Sequence, residues 1–190
     1  MTPGRCEPPR LARRLLAFYH TDYETDRALC EQSLAISREI GDRRGVVQAL
    51  TTLGWVANDL GEYARARTLC AESLAISREI GDKWGISRSL SILGLVAYFD
   101  QDFATAQVML EEGLAIGRQI GDRWGIAWSL HVLGLVAHEQ REHARARSLA
   151  EQALAIQKEL GDRRNMAYSL DALGYLAVDE GDYATARTLL

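Results

Sequence analysis

The sequence predicts an all-α solenoid built from antiparallel helical hairpins. Three observations carry that prediction: a repeat with a period of 40 residues, two apolar stripes of helical spacing within each period, and a Gly-Asp pair at every junction.

The period is read from blocks that open at Gly41, Gly81, Gly121 and Gly161. Across the three complete blocks Gly41, Asp42, Gly45, Leu50, Leu53, Gly54, Val56, Ala57, Ala64, Ala66, Leu74, Ala75 and Ile76 recur unchanged 40 and 80 positions later. Shared composition does not produce so many identities in one register.

Within a block, Val46, Ala49, Leu50, Leu53, Val56 and Ala57 fall three and four apart, which gathers them on one face of a first helix, helix A. A second stripe, Tyr63, Ala66, Leu69, Cys70, Ser73, Leu74, Ile76 and Ile80, defines helix B. Gly61 and Gly181 free the backbone for the turn between them, and Glu62, Asp102, Glu142 and Asp182 favour the positive end of the helix that follows. At the junctions, Gly41 suits a left-handed C-cap and Asp42 suits an N-cap, so the Ile-Gly-Asp run is punctuation rather than a phosphate loop. Gly54, Ala57 and Ala66 recur as small residues that let neighbouring helix backbones approach.

The expected organisation is one continuous array. It comprises an irregular segment with a cap helix over 1–20, a lone helix B over 21–40, complete repeats at 41–80, 81–120 and 121–160, and a shortened repeat at 161–190. Residues 1–9, which hold all 3 prolines, are expected to be loose, and the cap helix to span Leu11 to His20. The last helix B stops ten residues before the period closes, which reads either as a cut from a longer protein or as an open end for self-association.

Composition agrees with a folded helical chain: 190 residues, 47% hydrophobic, 25% charged. A net charge of -4 argues against nucleic acid as partner, because that affinity rests on clustered cations. The basic cluster Arg5, Arg10, Arg13 and Arg14 reads as solvated terminal charge. No apolar run is long enough for a membrane span or a secretory signal, so no membrane association is expected and a cytoplasmic location is. Cys6, Cys30 and Cys70 show no paired metal or redox spacing; Cys30 and Cys70 read as small buried residues on successive B helices.

The pattern Leu50-x2-Leu53-Gly54-x2-Ala57 followed by Ala66-x3-Cys70 resembles the tetratricopeptide repeat, W-x2-L-G-x2-Y then A-x3-F and a closing Pro. Leu stands for the first aromatic, Ala for the Tyr, and Arg78, Arg118 or Lys158 for the Pro. Without that proline, helix B is expected to run to about Ile80, which lengthens the period from 34 to 40. The G-D-x-x-G opening is similar to extended arrays of bacterial transcription regulators and signalling ATPases, and to animal cell-polarity adaptors. The resemblance implies a right-handed superhelical solenoid that binds protein or peptide, with helix A lining the groove.

Positions that vary between blocks are where such an array meets its partner. The groove columns read Gln48, Arg88, Trp128, Tyr168; Thr51, Ser91, His131, Asp171; Trp55, Leu95, Leu135, Tyr175; and Asn58, Tyr98, His138, Val178. The candidate partner-binding residues are Gln48, Trp55, Arg88, Tyr98, Trp128, His131, His138, Tyr168 and Tyr175, with packing between repeats as the competing role. The carboxylate clamp of chaperone-binding arrays is absent from these columns. Trp84 and Trp124 read as packing at the hairpin mouth. His131 and His138, seven apart, suggest pH-sensitive binding. His138 and His143 are five apart with a turn between them, so the metalloprotease motif is not met and no metal ligands are assigned. No cofactor and no enzymatic activity are expected. The leading expectation is a regulatory or sensor module of a larger bacterial protein; self-assembly through open repeat ends is the alternative.

Overall fold

A computed structural model describes the backbone of residues 10–189 and the side chains of residues 25–189. The expected loose segment 1–9 and the side chains of the N-terminal basic cluster lie outside the described residues. The chain folds as α1 (Arg10–Glu39), α2 (Arg43–Asp59), α3 (Tyr63–Ile80), α4 (Lys83–Phe99), α5 (Phe103–Ile120), α6 (Arg123–Glu139), α7 (His143–Leu160), α8 (Arg163–Asp179) and α9 (Tyr183–Leu189). This is an all-α helical-repeat solenoid, in which α2, α4, α6 and α8 are A helices and α3, α5, α7 and α9 are B helices.

The junctions follow from the Gly-Asp pair. Gly81, Gly121 and Gly161 cap α3, α5 and α7 at φ of 68°, 71° and 67°, in the left-handed region that glycine enters without a Cβ penalty. Each following Asp then accepts a backbone N–H of the next helix: Gly45 to Asp42 at 3.0 Å, Trp84 to Asp82 at 3.1 Å, Gly125 to Asp122 at 3.1 Å and Asn165 to Asp162 at 3.2 Å. A cap of this kind stabilises a helix by about 1 kcal/mol.

The turn inside each hairpin also needs a positive φ. Gly61 and Gly181 supply it at 74° and 78°, while Gln101 and Arg141 adopt 64° and 62° at the same position despite carrying side chains. Thr21 stands there in the first block, and a β-branched residue is a poor occupant of that region. The expected break between a cap helix and a lone helix B is not seen: α1 runs from Arg10 to Glu39, a stretch with neither glycine nor proline to stop it.

Each A helix packs on its own B helix and on the preceding B helix, and successive A helices among the described residues pack on one another. Successive B helices do not pack on one another among the described residues, so the A helices form the inner layer of the curve and the B helices the outer one. The core lies between the layers, with Leu50, Leu90, Ile92, Leu110, Val132, Val136 and Leu176 fully buried. The small positions set the spacing. A Cβ built on Gly54 would stand 2.3 Å from the Cys70 Sγ, and one on Gly94 would stand 2.6 Å from the Leu110 Cγ. Cys70 is fully buried, and burial pushes its thiol up to about 12.

On the outer layer, long side chains reach from one hairpin to the next. Arg38 pairs with Glu72 at 2.6 Å, Arg65 with Glu31 at 2.7 Å, Arg78 with Glu112 at 3.1 Å and Arg145 with Glu111 at 3.3 Å. Arg67–Asp100 and Arg147–Glu180 also cross from one hairpin to the next, while Arg43–Glu79 and Arg123–Glu159 tie the start of an A helix to the end of its own B helix. Exposed pairs contribute about 0–1 kcal/mol each, so their role is alignment more than stability.

Candidate partner-binding cleft

The inner layer encloses a cleft of about 330 Å³. Its walls are Thr51, Thr52, Trp55 and Asp59 of α2, Trp84 and Arg88 of α4, Trp124 and Trp128 of α6, and Arg164, Asn165 and Tyr168 of α8. Residues from the C-terminal half of α2 meet residues from the N-terminal turns of α8, so the cleft runs diagonally across the four A helices.

All 4 tryptophans of the chain are in this wall. Trp55 meets Trp128 edge-on at 4.8 Å between ring centroids and Trp124 at 5.4 Å, and Trp124 stacks parallel on Trp128 at 5.9 Å. The Arg88 guanidinium sits 4.1 Å from the Trp124 ring centroid and 5.4 Å from that of Trp84. It also makes a two-point contact with the α6 cap Asp122: Nη2 donates to Oδ1 at 3.1 Å, and Nε approaches Oδ2 at 3.0 Å. Burial lowers the Arg88 pKa, and the Asp122 charge opposes that shift. A cation fixed this way between two indole faces is held in orientation by cation–π attraction and by its carboxylate.

The cleft is bridged at its mouth. Arg164 on α8 donates to Asp59 on α2 at 2.8 Å, a contact across 105 residues that joins the first A helix to the last. The surface so formed is aromatic, concave and edged by paired charges, a form suited to an apolar side chain flanked by polar groups.

The nine expected residues do not form one surface. Trp55, Arg88, Trp128 and Tyr168 come together in this cleft. Tyr98, His138 and Tyr175 line a second cavity of about 290 Å³ with Gly134, Glu139 and Ala146. His131 lines neither cavity: it is buried, 6% exposed, with its ring 5.7 Å from Trp128 and 6.3 Å from Tyr168 of the first cleft. Gln48 is exposed and lines neither cavity, because the diagonal run leaves the early turns of α2 outside. Trp128 is 9% exposed, so it and His131 also carry inter-repeat packing.

Two expectations change. Trp84 and Trp124 face the cleft beside Arg88 rather than only covering a hairpin mouth, since they sit on the first turn of inner-layer helices. The expected pH response does not fit His131, because burial lowers its pKa to about 4 and favours the neutral ring between pH 5.5 and 7.5. Asp59, Arg164 and Asn165 are cleft residues that the groove columns omit; the signal available in sequence was that position 164 holds Arg where the inner blocks hold Trp.

Beyond the second cavity, the turn between α6 and α7 brings His138 and His143 together, with ring centroids 5.9 Å apart. Asp179 at the end of α8 joins them, its Oδ2 2.7 Å from the His138 Nε2.

No helix among the described residues is long and apolar enough to cross a membrane. No curated protein matches the sequence. Solved structures share the fold: BtubC (BKLC) from P. vanneervenii, 19% identical, with a TM-score of 0.70 over 92% of this chain and 73% of that one. A Rap protein in complex with Competence and Sporulation Factor superposes at a TM-score of 0.78 with 15% identity, covering 93% of this chain, which spans 50% of the Rap chain. Nearly identical TPR-like repeats from Podosopora anserina give a TM-score of 0.61 at 21% identity, over 94% of this chain and 87% of that one. The tetratricopeptide repeat family pattern matches residues 56–119 and 85–159, together more than half of the sequence. With the hairpin geometry, that match makes the chain a member of the tetratricopeptide repeat family.

Proposed function

We propose that this chain is a protein-binding scaffold that seats a short segment of its partner in the tryptophan-lined cleft, and that it serves as the regulatory or sensor arm of a larger bacterial protein. The observation that carries the reading is the gathering of all 4 tryptophans with Arg88 in one concave wall of the A helices. Aromatic and Arg side chains are the commonest anchors of interfaces, and here Trp55, Trp84, Trp124 and Arg88 are partly open and lodged in a recess, ordered by stacking on one another and on buried Trp128. A cleft of about 330 Å³ takes one or two side chains, not a domain. The favoured ligand is an extended peptide with an aromatic or large aliphatic anchor and a carboxylate that competes with Asp59 or Asp122 for Arg164 or Arg88.

The Rap complex with Competence and Sporulation Factor is an array of this fold holding a factor, which supports the class of role. The likeness of the G-D-x-x-G blocks to arrays in bacterial regulators supports the regulatory assignment. The test is selection of peptides from a random displayed library on the full chain, followed by affinity measurement on Tyr168→Ala and Trp84→Ala variants. Selected peptides that bind both variants as tightly as wild type would remove the cleft from the account.

Self-association is the second reading. Leu29 and Ile36 of α1 and Ile40 just after it, spaced seven and four apart, are 59%, 58% and 71% exposed, an apolar stripe of the kind that pairs copies. Light scattering across concentration distinguishes a monomer from a dimer, and a monomer at every concentration excludes this reading.

A further inference from the structure

We propose that His138, His143 and Asp179 form a divalent-metal site of zinc type at the junction of the last two hairpins, with the remaining coordination position open to solvent. The donor atoms of the three side chains lie within 4.8 Å of one another. Two imidazoles and one carboxylate suit Zn²⁺ or another first-row cation, and not Ca²⁺ or Mg²⁺, which take oxygen ligands. Tetrahedral zinc with metal–ligand bonds of about 2.0–2.2 Å places its donors roughly 3.4 Å apart, a separation these side chains reach by small rotations.

The placement is set by the fold. His138 lies in the last turn of α6, His143 opens α7 across the turn where Arg141 takes a positive φ, and Asp179 ends α8. The histidine spacing of five fails the one-helix motif, yet the turn returns the second ring to the first. The hydrogen bond between His138 Nε2 and Asp179 Oδ2 at 2.7 Å holds two of the three ligands together in advance. The buried Nδ1 of His143 has no hydrogen-bond partner, and this supplies a second sign that the group is incomplete. All three side chains are partly open to solvent, which gives an ion a way in. Arg141 Nη1 stands 3.9 Å from Asp179 Oδ2, but Arg141 is highly exposed and free to swing away when a cation arrives. A bound ion would tie the α6–α7 turn to α8 beside the second cavity, whose wall includes His138.

The site is tested with the full chain carrying no histidine tag, titrated with zinc chloride in a calorimeter. One ion per chain is expected, with no heat from Mg²⁺ or Ca²⁺. His143→Gln and Asp179→Asn are each expected to weaken binding by more than about tenfold, since loss of even an outer-shell partner costs roughly 10–100-fold. Cobalt(II) absorption on the unaltered chain provides a readout that needs no variant: nitrogen and oxygen donors give visible bands without a thiolate charge-transfer band. Absence of saturable zinc binding, binding unchanged in the His138→Gln, His143→Gln double variant, or a thiolate band from a cysteine would each overturn the proposal.

Discussion

Gly94 and Gly134 hold the same place in successive repeats, and the structure assigns them opposite responses to one added methyl group. On Gly94 the new Cβ would stand 2.6 Å from the Leu110 Cγ, 3.0 Å from its Cδ2 and 3.3 Å from the Ala106 carbonyl. Leu110 is fully buried, so it yields only by straining its neighbours. Overpacking of this kind costs about 1–3 kcal/mol, and the helix propensity gained on replacing glycine returns about 1 kcal/mol, leaving Gly94→Ala neutral to destabilised by about 2 kcal/mol. Gly134 faces Ala150 where Gly94 faces Leu110, and its nearest neighbours would be at 3.4, 3.5 and 3.6 Å. Gly134→Ala therefore keeps the propensity gain and is expected to be neutral or stabilised by up to about 1 kcal/mol. Urea denaturation of both variants reads the difference. A double-mutant cycle adds the cause: in a Leu110→Ala background Gly94→Ala should lose its penalty. Equal destabilisation by the two glycine substitutions, or a Gly94→Ala penalty that survives in that background, refutes the packing argument.

Two further predictions concern charge. His131 has a folded-state pKa near 4 against 6.5 unfolded, so the unfolded chain takes up its proton first as pH falls. The stability this neutral ring contributes is complete above pH 6.5 and is lost as pH drops toward 4, a loss of about 3 kcal/mol in all. Denaturation at pH 7.5 and 4.5 should show wild type losing about 2–3 kcal/mol more than His131→Gln; identical losses would contradict the burial. The Asp59–Arg164 bridge is largely exposed on the Arg164 side, 59% against 25% for Asp59, so Asp59→Asn should change stability by no more than about 1 kcal/mol. The same change should alter the association rate of a cleft-bound peptide, measured by stopped flow, and an unchanged rate would mean that the bridge does not guard the mouth.

Much of the hairpin architecture was legible because each rule it uses is local. Glycine at 81, 121 and 161 is needed for a left-handed cap, an aspartate next to it caps the following helix, and the small residues at 54 and 94 mark close approach. The extension of helix B to Ile80, Ile120 and Leu160 followed from the missing proline. What escaped depends on direction in space. The groove columns assumed that one position stays in line from repeat to repeat, whereas the cleft crosses the A helices on a diagonal. That excludes Gln48 and admits Trp84, Trp124 and Arg164. The turn positions Gln101 and Arg141 adopt a positive φ that residues with side chains do not favour, and the same turn set His138 beside His143, which sequence spacing alone separates.

The central claim is that the tryptophan-lined cleft is where a partner docks, and the placement of all 4 tryptophans there makes intrinsic fluorescence its most direct reporter. A peptide selected on the full chain should change that fluorescence saturably on titration. Its affinity should fall by at least about tenfold, or about 1.4 kcal/mol, in Tyr168→Ala. A peptide that binds with the fluorescence unmoved and its affinity for Tyr168→Ala intact would contradict the claim.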